Sequence, residues 1–97
     1  MITTEELQTL LTKFFKKEGL ESHGCQTFYT PEEWKERGES YCCNSKLVVV
    51  YDGSDVRRAM SLDGEDYKLN ERMQNMLRAV GCYYEEGTHW YGGVYPI

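Results

Sequence analysis

The sequence predicts an α+β fold: an antiparallel sheet of about four strands packed against two or three helices, in the order α-α-β-β-α-β-β. Three observations carry this expectation. A capped amphipathic segment opens the chain, a β-branched run ends in Asp52-Gly53 near its middle, and an aromatic segment turns about Gly87 near its end. Strands and helices mix without regular βαβ alternation, which favours antiparallel over parallel pairing.

Thr3 and Glu6 form a capping-box pattern, with Ile2 and Leu7 at the staple positions. Leu7, Leu10, Leu11, Phe14 and Phe15 follow helical spacing and give one apolar face. Lys13, Lys16 and Lys17 suit the negative end of the helix dipole, and Gly19 suits its stop. Residues 20–29 show no clear period and read as a loop or a short strand. Thr30, Pro31 and Glu33 start a second helix, with Tyr29 and Trp34 as its staple and Gly38 as its end.

Lys46-Leu47-Val48-Val49-Val50-Tyr51 reads as a buried strand. Asp52-Gly53-Ser54-Asp55 is a good hairpin loop, so Val56 to Leu62 is expected to return antiparallel; Arg57-Arg58 and Lys68 are the only basic cluster central in the sequence, expected to alternate across a strand. Asp63-Gly64 marks the next break. Asn70 is the expected cap of a helix whose stripe is Leu69, Met73, Met76, Leu77 and Val80, stopped by Gly81. The segments either side of Gly87 form a second hairpin, and Gly92-Gly93 is expected to bend or bulge its outgoing strand.

The chain has 97 residues, 40% hydrophobic and 28% charged, which supports one α+β domain over residues 1–97 with a modest core. Sixteen acidic residues against eleven basic ones leave a net charge of −5. That balance disfavours a nucleic-acid partner, which needs clustered cations, and an anionic membrane surface. It suits a protein partner with a basic surface. The apolar run from Leu47 to Tyr51 is too short to span a bilayer, and the acidic start Met1-Ile2-Thr3-Thr4-Glu5-Glu6 is unlike a secretory signal. The expected compartment is therefore the cytoplasm, with the cysteines reduced.

His23, Cys25, Cys42, Cys43, Cys82 and His89 supply enough donors for a zinc site, the second functional class considered. The spacing does not favour one. No C-x2-C or H-x3-H pair occurs, and adjacent Cys42 and Cys43 point to opposite faces of a strand, so small buried hydrophobes are the plainer reading. Cys82 and His89 would lie on opposite arms of the second hairpin, with Glu85 or Glu86 to orient the imidazole, as a thiol nucleophile requires. The carboxylate pairs Glu5-Glu6 and Glu32-Glu33 belong to helix starts, and Asp63-Gly64-Glu65-Asp66 reads as a turn lacking the ligands of a calcium loop. There is no Gly-rich phosphate loop. A helix running into a hairpin also occurs in winged-helix DNA-binding regulators, the third class, but Glu85 and Glu86 make an acidic wing.

The C-terminal segment is the most distinctive, holding five of the thirteen aromatic residues among glutamates and glycines. Strand alternation must place some of these rings on each face, so one small core cannot take them all. Tyr83, Tyr84, Glu85, Glu86, His89, Trp90, Tyr91 and Tyr95 are therefore the expected partner-binding residues of a non-enzymatic binding module that needs no cofactor. The concrete version is a small acidic inhibitor of a nucleic-acid-handling complex, of the kind viruses and mobile elements make. Either a monomer or a homodimer fits, the latter if the final strand is an exposed edge.

Overall fold

The computed structural model describes residues 1–62 and 66–97. The turn expected at Asp63-Gly64, with Glu65 beside it, lies outside the described residues. In chain order the elements are α1 (Thr4–Lys17), β1 (Phe28–Tyr29), α2 (Pro31–Glu36), β2 (Leu47–Val50), α3 (Arg57–Met60), α4 (Tyr67–Arg78), β3 (Cys82–Glu86) and β4 (Tyr91–Pro96). The strands form one antiparallel sheet in the order β1-β2-β4-β3, so the molecule is α+β with a four-stranded antiparallel sheet.

The helix starts follow from capping chemistry. Thr3 and Thr30 each accept the backbone N–H three residues on, at 3.1 Å, while Glu6 and Glu33 each accept the cap's own N–H at 2.9 Å. At the end of α1, the Leu20 N–H reaches Phe15 O at 2.8 Å and the Gly19 N–H reaches Lys16 O at 3.2 Å. This is a Schellman closure, and it requires the left-handed backbone that Gly19 adopts at φ 72°.

Three local expectations are corrected. Val56 to Leu62 does not return as a strand; its centre is the single-turn helix α3. Arg57, Arg58, Ala59 and Met60 are good helix formers, and β2 finds its neighbours in β1 and β4 instead. A strand whose Leu47, Val48 and Val49 are all fully buried needs a partner on both edges and a layer on both faces. The fourth strand is thus β1, within the segment that showed no period, and Arg57 and Arg58 stand exposed on a helical turn.

Asn70 does not cap α4. Asp66 does, its Oδ1 accepting the Leu69 N–H at 3.1 Å, and Asn70 lies in the helix with its side chain donating to Ala59 O at 2.7 Å. A carboxylate outcompetes an amide at a helix N-terminus because it also meets the dipole. Finally, Gly92-Gly93 makes no bulge. Val48↔Gly93 and Val49↔Gly92 on one side, with Glu85↔Gly93 and Glu86↔Gly92 on the other, are in continuous register. Gly92 serves close packing: a Cβ there would run into the Tyr84 hydroxyl and lie 2.7 Å from Glu85 O.

The sheet separates two clusters. On the inner face, Leu7, Leu11, Phe14 and Phe15 of α1 and Leu69, Met73 and Leu77 of α4 pack with Leu47, Val49, Tyr51, Cys82, Tyr84 and Val94. On the outer face, Trp34 of α2 packs with Cys42, Val48 and Tyr91, flanked by Tyr29, Cys43, Val50 and Trp90. Alternation along each strand produces this division.

Candidate functional site

The C-terminal hairpin forms where expected, with β3 and β4 joined by residues 87–90. Alternation then sorts the eight expected partner-binding residues. Tyr84 is buried in the inner cluster at 6% exposure, and Tyr91 is buried in the outer one at 2%. Both support the hairpin from within and offer no surface. Trp90 is half-buried, 4.6 Å from Tyr91 and 5.6 Å from Trp34 between ring centroids, while His89 stands exposed at the turn. Glu86 is half-buried on the Tyr84 side, its Oε1 accepting the Leu62 N–H at 3.0 Å.

Tyr83, Glu85 and Tyr95 remain, and these come together. They occupy the outer face, with Tyr83 and Tyr95 directly paired across the strands and stacked at 5.5 Å. Tyr83 and Glu85 are exposed and Tyr95 is half-buried. Burial, with Cys42 beside it, holds the Tyr95 hydroxyl well above the ordinary tyrosine range. Helix α2 and its Trp34 cover another part of this face, where Arg37 lies 5.0 Å over the Trp34 ring and 5.1 Å over that of Tyr29. Trp34 of this six-residue helix covers Tyr91, and Cys42 and Ser45 lie over Gly93, which leaves Tyr83 and Glu85 of β3 exposed with Tyr95 half-buried beside them.

The strand edges differ from expectation as well. The final strand β4 is central, paired on both sides, so it cannot join two copies edge to edge. The outermost strand on that side is β3, and its centre is occupied. Gln74 of α4 donates through Nε2 to Tyr84 O at 3.1 Å and accepts the Tyr84 N–H through Oε1 at 3.2 Å. One carboxamide thus meets the outward peptide of the edge as a neighbouring strand would.

The zinc ligands do not assemble as a cysteine site. Cys42 and Cys82 are buried in different clusters, on opposite sides of the sheet. Burial pushes both thiols up from their ordinary value, the reverse of an activated nucleophile. Cys82 pairs with Pro96 at the far end of the hairpin from His89, so no dyad forms between them. The Cys43 Sγ donates to Glu39 O at 2.9 Å, and Cys25 is exposed.

His23 does find partners, ones that sequence spacing did not suggest. Its Nε2 lies 3.1 Å from Asp55 Oδ1, and with Glu21 the three side chains bring a donor atom each within 4.8 Å of one another. Asp55 sits 32 positions along the chain and was legible only as a turn residue.

Among the described residues no helix is long and apolar enough to cross a membrane. Comparison with protein-family models, with curated proteins and with solved structures finds no match.

Proposed function

We propose that this protein is a binding module that docks a basic protein partner on the outer face of its sheet, through Tyr83, Glu85 and Tyr95. The observation that carries this reading is the stacked Tyr83–Tyr95 pair beside an exposed carboxylate, at the β3 edge of the outer face that Trp34 does not cover. Paired tyrosine rings give a large, stiff contact area at little entropic cost, and they accept a guanidinium over their faces. Glu85 supplies the charge-assisted acceptor for the same group. The chain's net charge of −5 steers such a partner toward the face. In the more specific form of the proposal, the partner is a nucleic-acid-handling complex whose phosphate-binding cations the carboxylates occupy.

Glu85 and Glu86 have separate duties in this reading. Replacing Glu86 removes the acceptor of the Leu62 N–H and disturbs the fold, whereas Glu85 is free of that role. The informative variant is therefore Tyr83→Ser with Glu85→Lys. Binding of a labelled arginine-rich peptide, followed by fluorescence anisotropy at low and moderate salt, should weaken by roughly tenfold or more, about 1.4 kcal/mol, in the double variant. Equal binding by the double variant and the parent protein, both with native circular dichroism, removes this face from the account.

A further inference from the structure

Glu21, His23 and Asp55 form a cluster that includes no residue of the C-terminal hairpin. Two segments build it: the connection between α1 and β1, and the turn between β2 and α3. Backbone bonds lock these segments together. The Asp55 N–H donates to Glu21 O at 2.9 Å, and the Glu21 N–H donates to Asp55 Oδ2 at 3.2 Å. The second bond leaves Asp55 Oδ1 directed at His23 Nε2, 3.1 Å away. Beside the cluster opens a cleft of about 520 Å³ that shares Glu21 with it. Phe15, Leu20 and Phe28 line that cleft with apolar surface, and Lys16 and Gln26 add polar groups.

We propose that Glu21, His23 and Asp55 bind one divalent transition-metal ion, with coordination positions left open toward this cleft. Metal–donor bonds of about 2.0–2.1 Å place neighbouring ligands roughly 3–3.5 Å apart, which the His23–Asp55 separation already satisfies. Glu21 is exposed, so its carboxylate can close the remaining gap by rotation. An imidazole with two carboxylates suits zinc and its transition-metal neighbours better than calcium, which takes six to eight oxygens. Three protein ligands with an open position form the pattern of reactive rather than purely structural sites. The cleft offers an apolar-bodied, polar-tipped ligand a place next to the ion. The hairpin face plays no part here, so the two proposals stand or fall separately.

The test is isothermal titration calorimetry of metal-free full-length protein with zinc chloride in a weakly coordinating buffer. One ion should bind per chain. His23 occupies a left-handed backbone at φ 55°, so His23→Asn is the apt variant: asparagine tolerates that conformation and lacks the imidazole. Loss of an outer partner of a metal ligand typically costs about 10- to 100-fold in affinity, so His23→Asn should weaken zinc binding by at least about tenfold. Asp55→Asn keeps an acceptor for the Glu21 N–H and should give a loss of similar size. Cys25→Ser and His89→Asn should bind as the parent does. Absence of zinc binding by the parent, binding unchanged in a folded His23→Asn protein, or binding abolished by Cys25→Ser overturns the proposal.

Discussion

The two faces of the sheet solve the same problem with different means. The inner face is covered by two long helices, of 14 and 12 residues, whose buried side chains are mostly Leu, Met and Phe. The outer face is covered by a six-residue helix that buries one residue, Trp34, against a cluster of other rings. Aliphatic packing needs length, because each side chain removes only a modest area from water and several must line up. A large aromatic anchor buries far more area at one point, so a helix of under two turns can hold its place. The consequence is geometric. The long helices each bring several buried side chains to the inner face, while the short one brings only Trp34 to the outer face and leaves Tyr83 and Glu85 exposed and Tyr95 half-buried.

The largest expected effect tests that contrast directly. Trp34→Ala removes a fully buried indole and should cost about 3–5 kcal/mol. Leu11→Ala, equally buried on the inner face, should cost about 2–5 kcal/mol. The two should differ in kind. Trp34→Ala should release α2 and residues 37–45 while α1 and α4 keep their hydrogen-exchange protection; Leu11→Ala should lower protection throughout. If both variants lose protection uniformly, the faces are one cooperative unit and the contrast is only compositional.

Alkali should act on both faces at once. Burial is the main cause that holds the hydroxyls of Tyr51 and Tyr84 inside, and Tyr95 outside, well above the ordinary tyrosine range. Such groups keep their protons in the folded state after the unfolded chain has released its own near pH of roughly 10. Their stabilising effect is complete below that pH and is lost as pH rises through the raised folded values. Each tyrosine should then add a slope approaching about 1.4 kcal/mol per pH unit. Denaturant titrations between neutral pH and strong alkali, with tyrosinate absorbance followed in parallel, measure this. Early ionisation of all eight tyrosines without unfolding would contradict the burial.

A smaller effect is expected where the inner layer reaches round to the sheet edge. Gln74→Ala removes both bonds to the Tyr84 peptide and should cost about 1–2 kcal/mol. It should also open β3 for pairing, seen as concentration-dependent self-association in sedimentation. The opposite edge offers a control. Gln26 gives the Phe28 carbonyl one bond at 2.9 Å, so Gln26→Ala should cost under about 1 kcal/mol. Equal, silent outcomes at both edges would mean that Gln74 does not guard β3.

Much of this was legible in the sequence where the determining contact is local. Both capping boxes, the Gly19 stop, the apolar stripe of α1 and the C-terminal hairpin depend on residues within a few positions of one another. Elements set by distant partners were not legible. Val56 to Leu62 fits a strand until β4 takes the place beside β2, and β1 is two residues recognisable only by their pairing with Val49 and Val48. The same holds for sites. Eight hairpin residues followed from composition, but which of them face outward depends on register, and that removed Tyr84 and Tyr91 from any surface. Asp55 could not be joined to His23 without the fold that brings the two loops together.

The smallest effect is the sharpest comparison, because the same device starts a helix on each face. Thr3→Ala and Thr30→Ala each remove one cap hydroxyl of a complete capping box, worth about 1 kcal/mol. In α1, four buried side chains hold the helix to the core, so the loss should appear in global stability with the helix still formed. In α2, six residues and one anchor leave little to resist fraying, since a helix so short is unstable without its cap and its packing. Thr30→Ala should therefore raise amide exchange in residues 31–37 by roughly fivefold, the equivalent of about 1 kcal/mol, and leave α1 and α4 unchanged. If Thr30→Ala instead lowers protection in α1 as much as Thr3→Ala does, the short helix is coupled to the long ones through the sheet. The exposed part of the outer face would then be held in shape by the whole fold rather than by its own aromatic cluster.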